Sequence, residues 1–176
     1  NSFQTVDVKA VAVRNLMLNY NAESGYLGYG VKDGEKLFAV SEYDRLLIVN
    51  KEGTFQVINA PEKMFVGQGM LWCNIADRDI LKNTIFSLIY QTADKKHVCI
   101  KRFQVEKFIV DKSYPYLPDG CKFLLLTEKQ HGTITLIYRK APRLRVLEEE
   151  FDLDNYHVKG YKASGVRLSS KPIRTL

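Results

Sequence analysis

Apolar side chains in this chain fall in short runs broken by clusters of Gly, Asp, Asn, Ser and Lys, and most runs alternate with a period of two. Asp7 to Tyr20 sets Val8, Ala10 and Ala12 against Val11 and Val13, the pattern of a strand, and Asn21 to Gly25 supplies a turn. Strands are predicted over Tyr26–Val31, Lys36–Val40, Arg45–Val49 and Thr54–Ile58. The connection Asn50-Lys51-Glu52-Gly53 reads as a hairpin in which Gly53 takes a positive φ. Further strands are predicted over Met70–Ile75, Thr84–Gln91, His97–Val105, Lys122–Thr127, Thr133–Arg139 and Arg143–Glu150, with a turn at Asp77-Arg78-Asp79. No segment carries a capped apolar stripe at helical spacing, so the chain reads as all-β.

One pattern recurs. Glu106-Lys107-Phe108-Ile109-Val110 has a close copy in Glu62-Lys63-Met64-Phe65-Val66 and a looser one in Asp154-Asn155-Tyr156-His157-Val158, at spacings of 44 and 48 residues. Short strands repeating at that interval predict propeller-like blades of about four strands, three of them plain, with the first 36 residues and the C-terminal tail completing a further one. A β-sandwich is the alternative. With 176 residues, a single domain spanning 1–176 is the expectation.

Charge adds a direction to this outline. The net charge is +6, but it is regional. Residues 1–78 hold 8 bases and 9 acids, residues 79–145 hold 13 bases and 6 acids, and residues 157–176 hold five bases and no acid. Lys95, Lys96, Lys101, Arg102, Lys107 and Lys112 fall within one repeat, and Arg139, Lys140, Arg143 and Arg145 take corresponding places in the next. Lys159, Lys162 and Arg167, followed by Lys171 and Arg174, form a second set. Presented on one rim, such side chains make a track for phosphates that binds duplex DNA without reading its sequence. The competing reading is a protein-interaction propeller whose basic face meets an acidic partner.

Other chemistry finds little footing. Cys73, Cys99 and Cys121 are odd in number and lack a CxxC pair, so reduced, buried thiols are expected and neither a disulfide framework nor a metal site is. His97 and Cys99 lie two apart on one predicted strand, as buried strand residues often do, and no catalytic residue is assigned. Gly67-Gln68-Gly69 lacks the following Gly-Lys and helix of a phosphate loop and reads as a turn. No apolar run approaches the ~18–20 residues of a membrane span, and the N-terminus lacks the blocks of a signal peptide, so a cytoplasmic location without membrane contact is expected.

The segments Leu46-Leu47-Ile48-Val49-Asn50-Lys51-Glu52-Gly53, Ile89-Tyr90-Gln91-Thr92 and Val158 to Leu168 resemble the repeats of the C-terminal domain of bacterial type IIA topoisomerase A subunits, across nearly the whole chain. The resemblance implies a β-pinwheel of about three to four four-stranded blades, whose blades exchange strands and whose basic rim binds and bends duplex DNA. Gyrase members carry a QRRGGKG box in this domain. His157-Val158-Lys159-Gly160-Tyr161-Lys162-Ala163 keeps only a basic residue, one glycine and a lysine of it, which points to the topoisomerase IV branch of these proteins. None of the ten tyrosines sits in the AAxRY setting of the DNA-cleaving residue, so the resemblance implies a non-catalytic domain. It would position a DNA segment for ATP-dependent strand passage, decatenation and supercoil relaxation. Its implied partners are double-stranded DNA, the ATPase B subunit of the topoisomerase and the remainder of the polypeptide that carries this domain. ATP and Mg would be bound elsewhere in the holoenzyme, with no cofactor in this domain.

Overall fold

Each sheet of this chain but the last is finished by a strand that arrives late, after the chain has begun the next sheet. A computed structural model describes residues 14–138, 148–169 and 173–175. The part of the expected first strand before Arg14 and the part of the expected strand Arg143–Glu150 before Glu148 lie outside them. Contacts divide the chain into two compact units: unit 1 is 1–77 with 108–114, and unit 2 is 78–107 with 115–176.

In unit 1, β1 (Leu16–Asn21), β2 (Tyr26–Gly28) and β3 (Glu35–Val40) start the first sheet. The β1–β2 turn is tied by Asn21, whose Oδ1 accepts from the amides of Glu23 (3.0 Å) and Ser24 (3.2 Å). Gly25 closes it at φ +79°. The chain next makes β4 (Arg45–Asn50) and β5 (Thr54–Asn59), an antiparallel hairpin of a second sheet, with Gly53 at φ +101° as expected. It then returns: β6 (Met64–Phe65) pairs with β2, so the first sheet has the order β3-β1-β2-β6. β7 (Met70–Ile75) goes back to the second sheet, beside β4.

A short helix, α1 (Arg78–Lys82), follows where a turn was expected, with Leu81 buried beneath it. In unit 2, β8 (Phe86–Gln91) and β9 (Val98–Gln104) pair as a hairpin. The chain again turns back, and β10 (Ser113–Pro115) lies beside β5, completing the order β10-β5-β4-β7. The Tyr114 ring stacks on Phe55 at 5.4 Å, and the amide of Asp111 donates to the carbonyl of Val57 at 2.7 Å. β11 (Lys122–Thr127) joins β8, and β12 (Thr133–Tyr138) pairs with β13 (Glu148–Asp152) in a fourth sheet. A 3₁₀ turn over Leu153–Asn155 leads to β14 (Val158–Gly160), which returns to β9 in parallel. β15 (Val166–Ser169) pairs with the other half of β9, and β16 (Ile173–Thr175) pairs with β12.

The repeated five-residue pattern therefore coincides with the returns. Its copies contain β6, lead into β10 and lead into β14.

The cores follow from the most apolar strands. Leu46, Leu47, Ile48 and Val49 of β4 are all fully buried, as are Leu88 and Ile89 of β8, the mark of central strands covered on both faces. In unit 2 Ile89, Val98, Ile100, Ile134, Leu136, Tyr138 and Leu153 form one cluster. Phe103 packs between Phe86 (5.5 Å) and Tyr116 (5.6 Å).

Candidate nucleic-acid interface

The cations of the central repeat divide into two kinds. Lys95 and Lys96 stand exposed on the turn between β8 and β9. The turn is tight: Lys95 takes φ +60° and donates its amide to the carbonyl of Thr92 at 2.8 Å, while the carboxylate of Asp94 accepts from the amide of Lys96 at 2.9 Å. Both residues thereby stand exposed at the tip of a hairpin whose backbone is tied. Lys107, just past β9, is exposed in unit 2. Lys112 is exposed in unit 1, with its Nζ 5.2 Å from the centre of the Tyr114 ring.

Lys101 and Arg102 are of the other kind, and the expectation that they face outward is corrected. They are 4% and 6% exposed. β9 has β8 on one side and β14 and β15 on the other, and its two faces are both packed, so neither direction of the alternation leads to water. The Lys101 ammonium donates to the carbonyls of Tyr116 (2.7 Å) and Tyr161. The Arg102 guanidinium donates to the carbonyls of Gln130 (2.6 Å), Leu153 (2.7 Å) and Tyr156 (3.2 Å). Among the described residues no carboxylate forms an ion pair with either. Burial accordingly pushes the Lys101 pKa down to about 8. Both cations tie loops to the centre of a sheet, and neither presents charge to a polyanion. The signal was in the sequence: a strand apolar at Val98, Cys99, Ile100 and Phe103 has no polar face for its charges to occupy.

The C-terminal set is laid out along a sheet edge. β14 covers β9 from Arg102 to Gln104, and β15 covers it from Val98 to Ile100. One edge of β9 is thus shared by two short strands joined through a turn. Lys159 lies in register with Phe103 and Arg167 with Cys99, so their backbones stand about 13 Å apart along that edge. Lys162 sits on the connecting turn, its Nζ 5.8 Å from the Tyr161 ring centre. All three are exposed. The turn is held by Gly165, whose amide donates to the Tyr90 hydroxyl at 3.0 Å and which leaves no room for a side chain between Tyr90 and the Ile100 carbonyl. Arg167 and the Lys95–Lys96 hairpin lie toward the same end of β9, since Gln91 pairs with Val98 and Arg167 with Cys99. Arg139, Lys140, Arg143, Arg145 and Lys171 lie outside the described residues.

The remaining chemical candidates are structural. Cys99 is buried, and burial raises its pKa, so the thiol is held away from the thiolate that a nucleophile needs. Burial pushes Cys73 up to about 12. Gly67, at φ +97°, offers its carbonyl to the Tyr20 hydroxyl at 2.6 Å, and Gly69 offers its carbonyl to the amide of Lys51 at 2.7 Å, so this stretch is a turn spanning strands. No helix among the described residues is long and apolar enough to cross a membrane.

Over residues 17–176 the sequence matches the family model for the topoisomerase C-terminal domain of Bacteroidota. It is also similar to the A subunit of DNA topoisomerase 4 from Borreliella burgdorferi, at 26% identity over 168 residues. That alignment covers 96% of this chain and 26% of the relative, so the chain spans about a quarter of the length of the curated protein it matches. No solved structure matches it significantly.

Proposed function

Since the chain belongs to the family of topoisomerase C-terminal domains, we propose that it binds and bends duplex DNA, without regard to sequence, as the non-catalytic C-terminal domain of a type IIA topoisomerase of the topoisomerase IV kind. In this reading the four sheets are blades of one β-pinwheel domain, and β6, β10 and β14 are its exchanged strands. The domain positions a DNA segment for ATP-dependent strand passage, decatenation and supercoil relaxation in the cytoplasm. Cleavage, ATP and Mg chemistry come from the remainder of the polypeptide that carries it and from an ATPase B subunit.

The observation that carries the reading is the exposed edge bearing Lys159, Lys162 and Arg167, in a stretch, 157–176, with five bases and no acid. Lys95, Lys96 and Lys107 add to it in unit 2, and Lys112 in unit 1. Arg139, Lys140, Arg143 and Arg145 belong to the proposed set on charge alone. Lys101 and Arg102 leave it.

Titration of the chain with a labelled duplex at several salt concentrations tests the proposal. Log K falls with log salt at a slope of about −0.9 per phosphate neutralised, whatever the sequence of the duplex. Replacing Lys159, Lys162 and Arg167 together by glutamine makes that slope shallower by about 2.7 if each meets one phosphate. Absence of binding at low salt sinks the proposal and leaves the basic surface to an acidic protein.

A further inference from the structure

Unit 1 carries a feature of opposite character. A groove of about 780 Å³ opens there between the first sheet and the second. Its walls are β3, the β1–β2 turn and β7, and among the described residues β3 and β7 are the end strands of their sheets. Leu37, Leu71 and Trp72 give it apolar surface, with Leu71 42% exposed. Glu23, Asp33 and Glu35 rim it, all exposed, and among the described residues no lysine or arginine lines it. Lys36 follows Glu35 in the strand and so points to the other face of the sheet.

The rim is rigid. Gly34 turns at φ +128° directly against β1, where a Cβ would meet the Tyr20 carbonyl and lie 2.9 Å from the Asn21 Cα. Asp33 and Glu35 flank that contact. Among the described residues none of the three carboxylates forms an ion pair.

We propose that this groove binds an extended, cationic peptide segment of a partner protein, added as a strand along an open sheet edge. Two features of the groove specify that occupant. An open strand edge offers backbone hydrogen bonds to an extended chain. The side chains of such a chain point alternately to opposite sides, so one set meets the apolar wall while the other reaches the carboxylates. Nucleic acid is disfavoured there, because the rim is anionic and residues 1–78 carry 8 bases against 9 acids. The site thus belongs to unit 1 and is opposite in sign to the cationic edge of unit 2.

Trp72 is the one tryptophan of the chain, so its emission reports on the groove alone. The test titrates the whole 176-residue chain with an acetylated octapeptide alternating lysine and leucine, with a lysine–serine octapeptide, and with a glutamate–leucine octapeptide. The lysine–leucine peptide gives a saturable change in Trp72 emission and the glutamate–leucine peptide gives none. The variant combining Glu23→Gln, Asp33→Asn and Glu35→Gln binds about tenfold more weakly, three exposed ion pairs being lost. Its affinity for duplex DNA is unchanged, which separates this site from the proposed DNA surface. A silent Trp72, equal binding by the variant, or equal binding of the lysine–serine peptide overturns the proposal.

Discussion

Replacing Arg102 by methionine separates the two roles that a cation on β9 can play. Methionine fills the space of the arginine stem but cannot donate, so the carbonyls of Gln130, Leu153 and Tyr156, bonded at 2.6, 2.7 and 3.2 Å, lose their partner together. Hydrogen bonds from a charged donor are worth ~1.5–3 kcal/mol each, and removing the guanidinium returns part of its burial cost. The expected net loss is ~3 kcal/mol, a large share of the ~5–15 kcal/mol that holds a typical domain. With a urea dependence of ~2 kcal/mol per molar, the midpoint of the unit 2 transition falls by about 1.5 M, read by far-ultraviolet circular dichroism. On the proposed DNA binding, the protein that remains folded keeps the salt slope of the unsubstituted chain. An unchanged midpoint together with a slope shallower by about 0.9 would put Arg102 on the surface and refute the assignment. Charge reversal at Lys101 or Arg102 is therefore a poor probe of DNA contact, since a carboxylate facing backbone carbonyls unfolds the sheet first.

Three further outcomes follow from the geometry. The Lys101 pKa is lowered to about 8 in the fold against 10.5 for an ordinary lysine, so between those values the unfolded chain binds the extra proton. Stability relative to the Lys101→Met variant rises as pH goes up through that window and is flat below it, as paired urea titrations at pH 7 and 9.5 would detect. Gly28→Ala puts a methyl group against the Glu62 carbonyl and within 2.8 Å of the Lys63 Cα, blocking β6 from β2. It costs ~1–3 kcal/mol, seen as a lower melting temperature of unit 1. Cys73 and Cys99, whose pKa values burial raises, react with a disulfide reagent at pH 7.5 far more slowly in the native chain than in urea.

The strands were legible because each reports its own environment. Alternation and turn residues located β4, β5, β7, β8, β9, β11 and β12 nearly to the residue. Their pairing was not legible to the same degree. β6, β10 and β14 are two or three residues long and take their hydrogen bonds from strands far back in the chain, so no local periodicity announces them. Only the repetition of Glu62–Val66, Glu106–Val110 and Asp154–Val158 marked where the returns occur. α1 is a single turn of helix fixed by the burial of Leu81 and escaped for the same reason of length. The candidate site divides along another line. Charge counts identified a basic region, but a count cannot distinguish Lys95 on a hairpin tip from Lys101 inside a sheet. That distinction depends on what covers the faces of β9, and the carbonyls that hold the two cations come from Tyr116, Gln130, Leu153, Tyr156 and Tyr161, 15 to 60 residues later in the chain.

The late arrival of β10 also bears on how this chain can be made and cut. The second sheet is begun at Arg45, yet its strand β5 keeps an open edge until Pro115 has been synthesised. Closing so long a loop slows folding, and the exposed edge is open to wrong partners in the interval. The boundary near Asp77 is accordingly no place to divide the protein. A fragment ending there would hold the residues of unit 1 up to Asp77 but lack 108–114, and β5 would present its bare edge to the next molecule in solution.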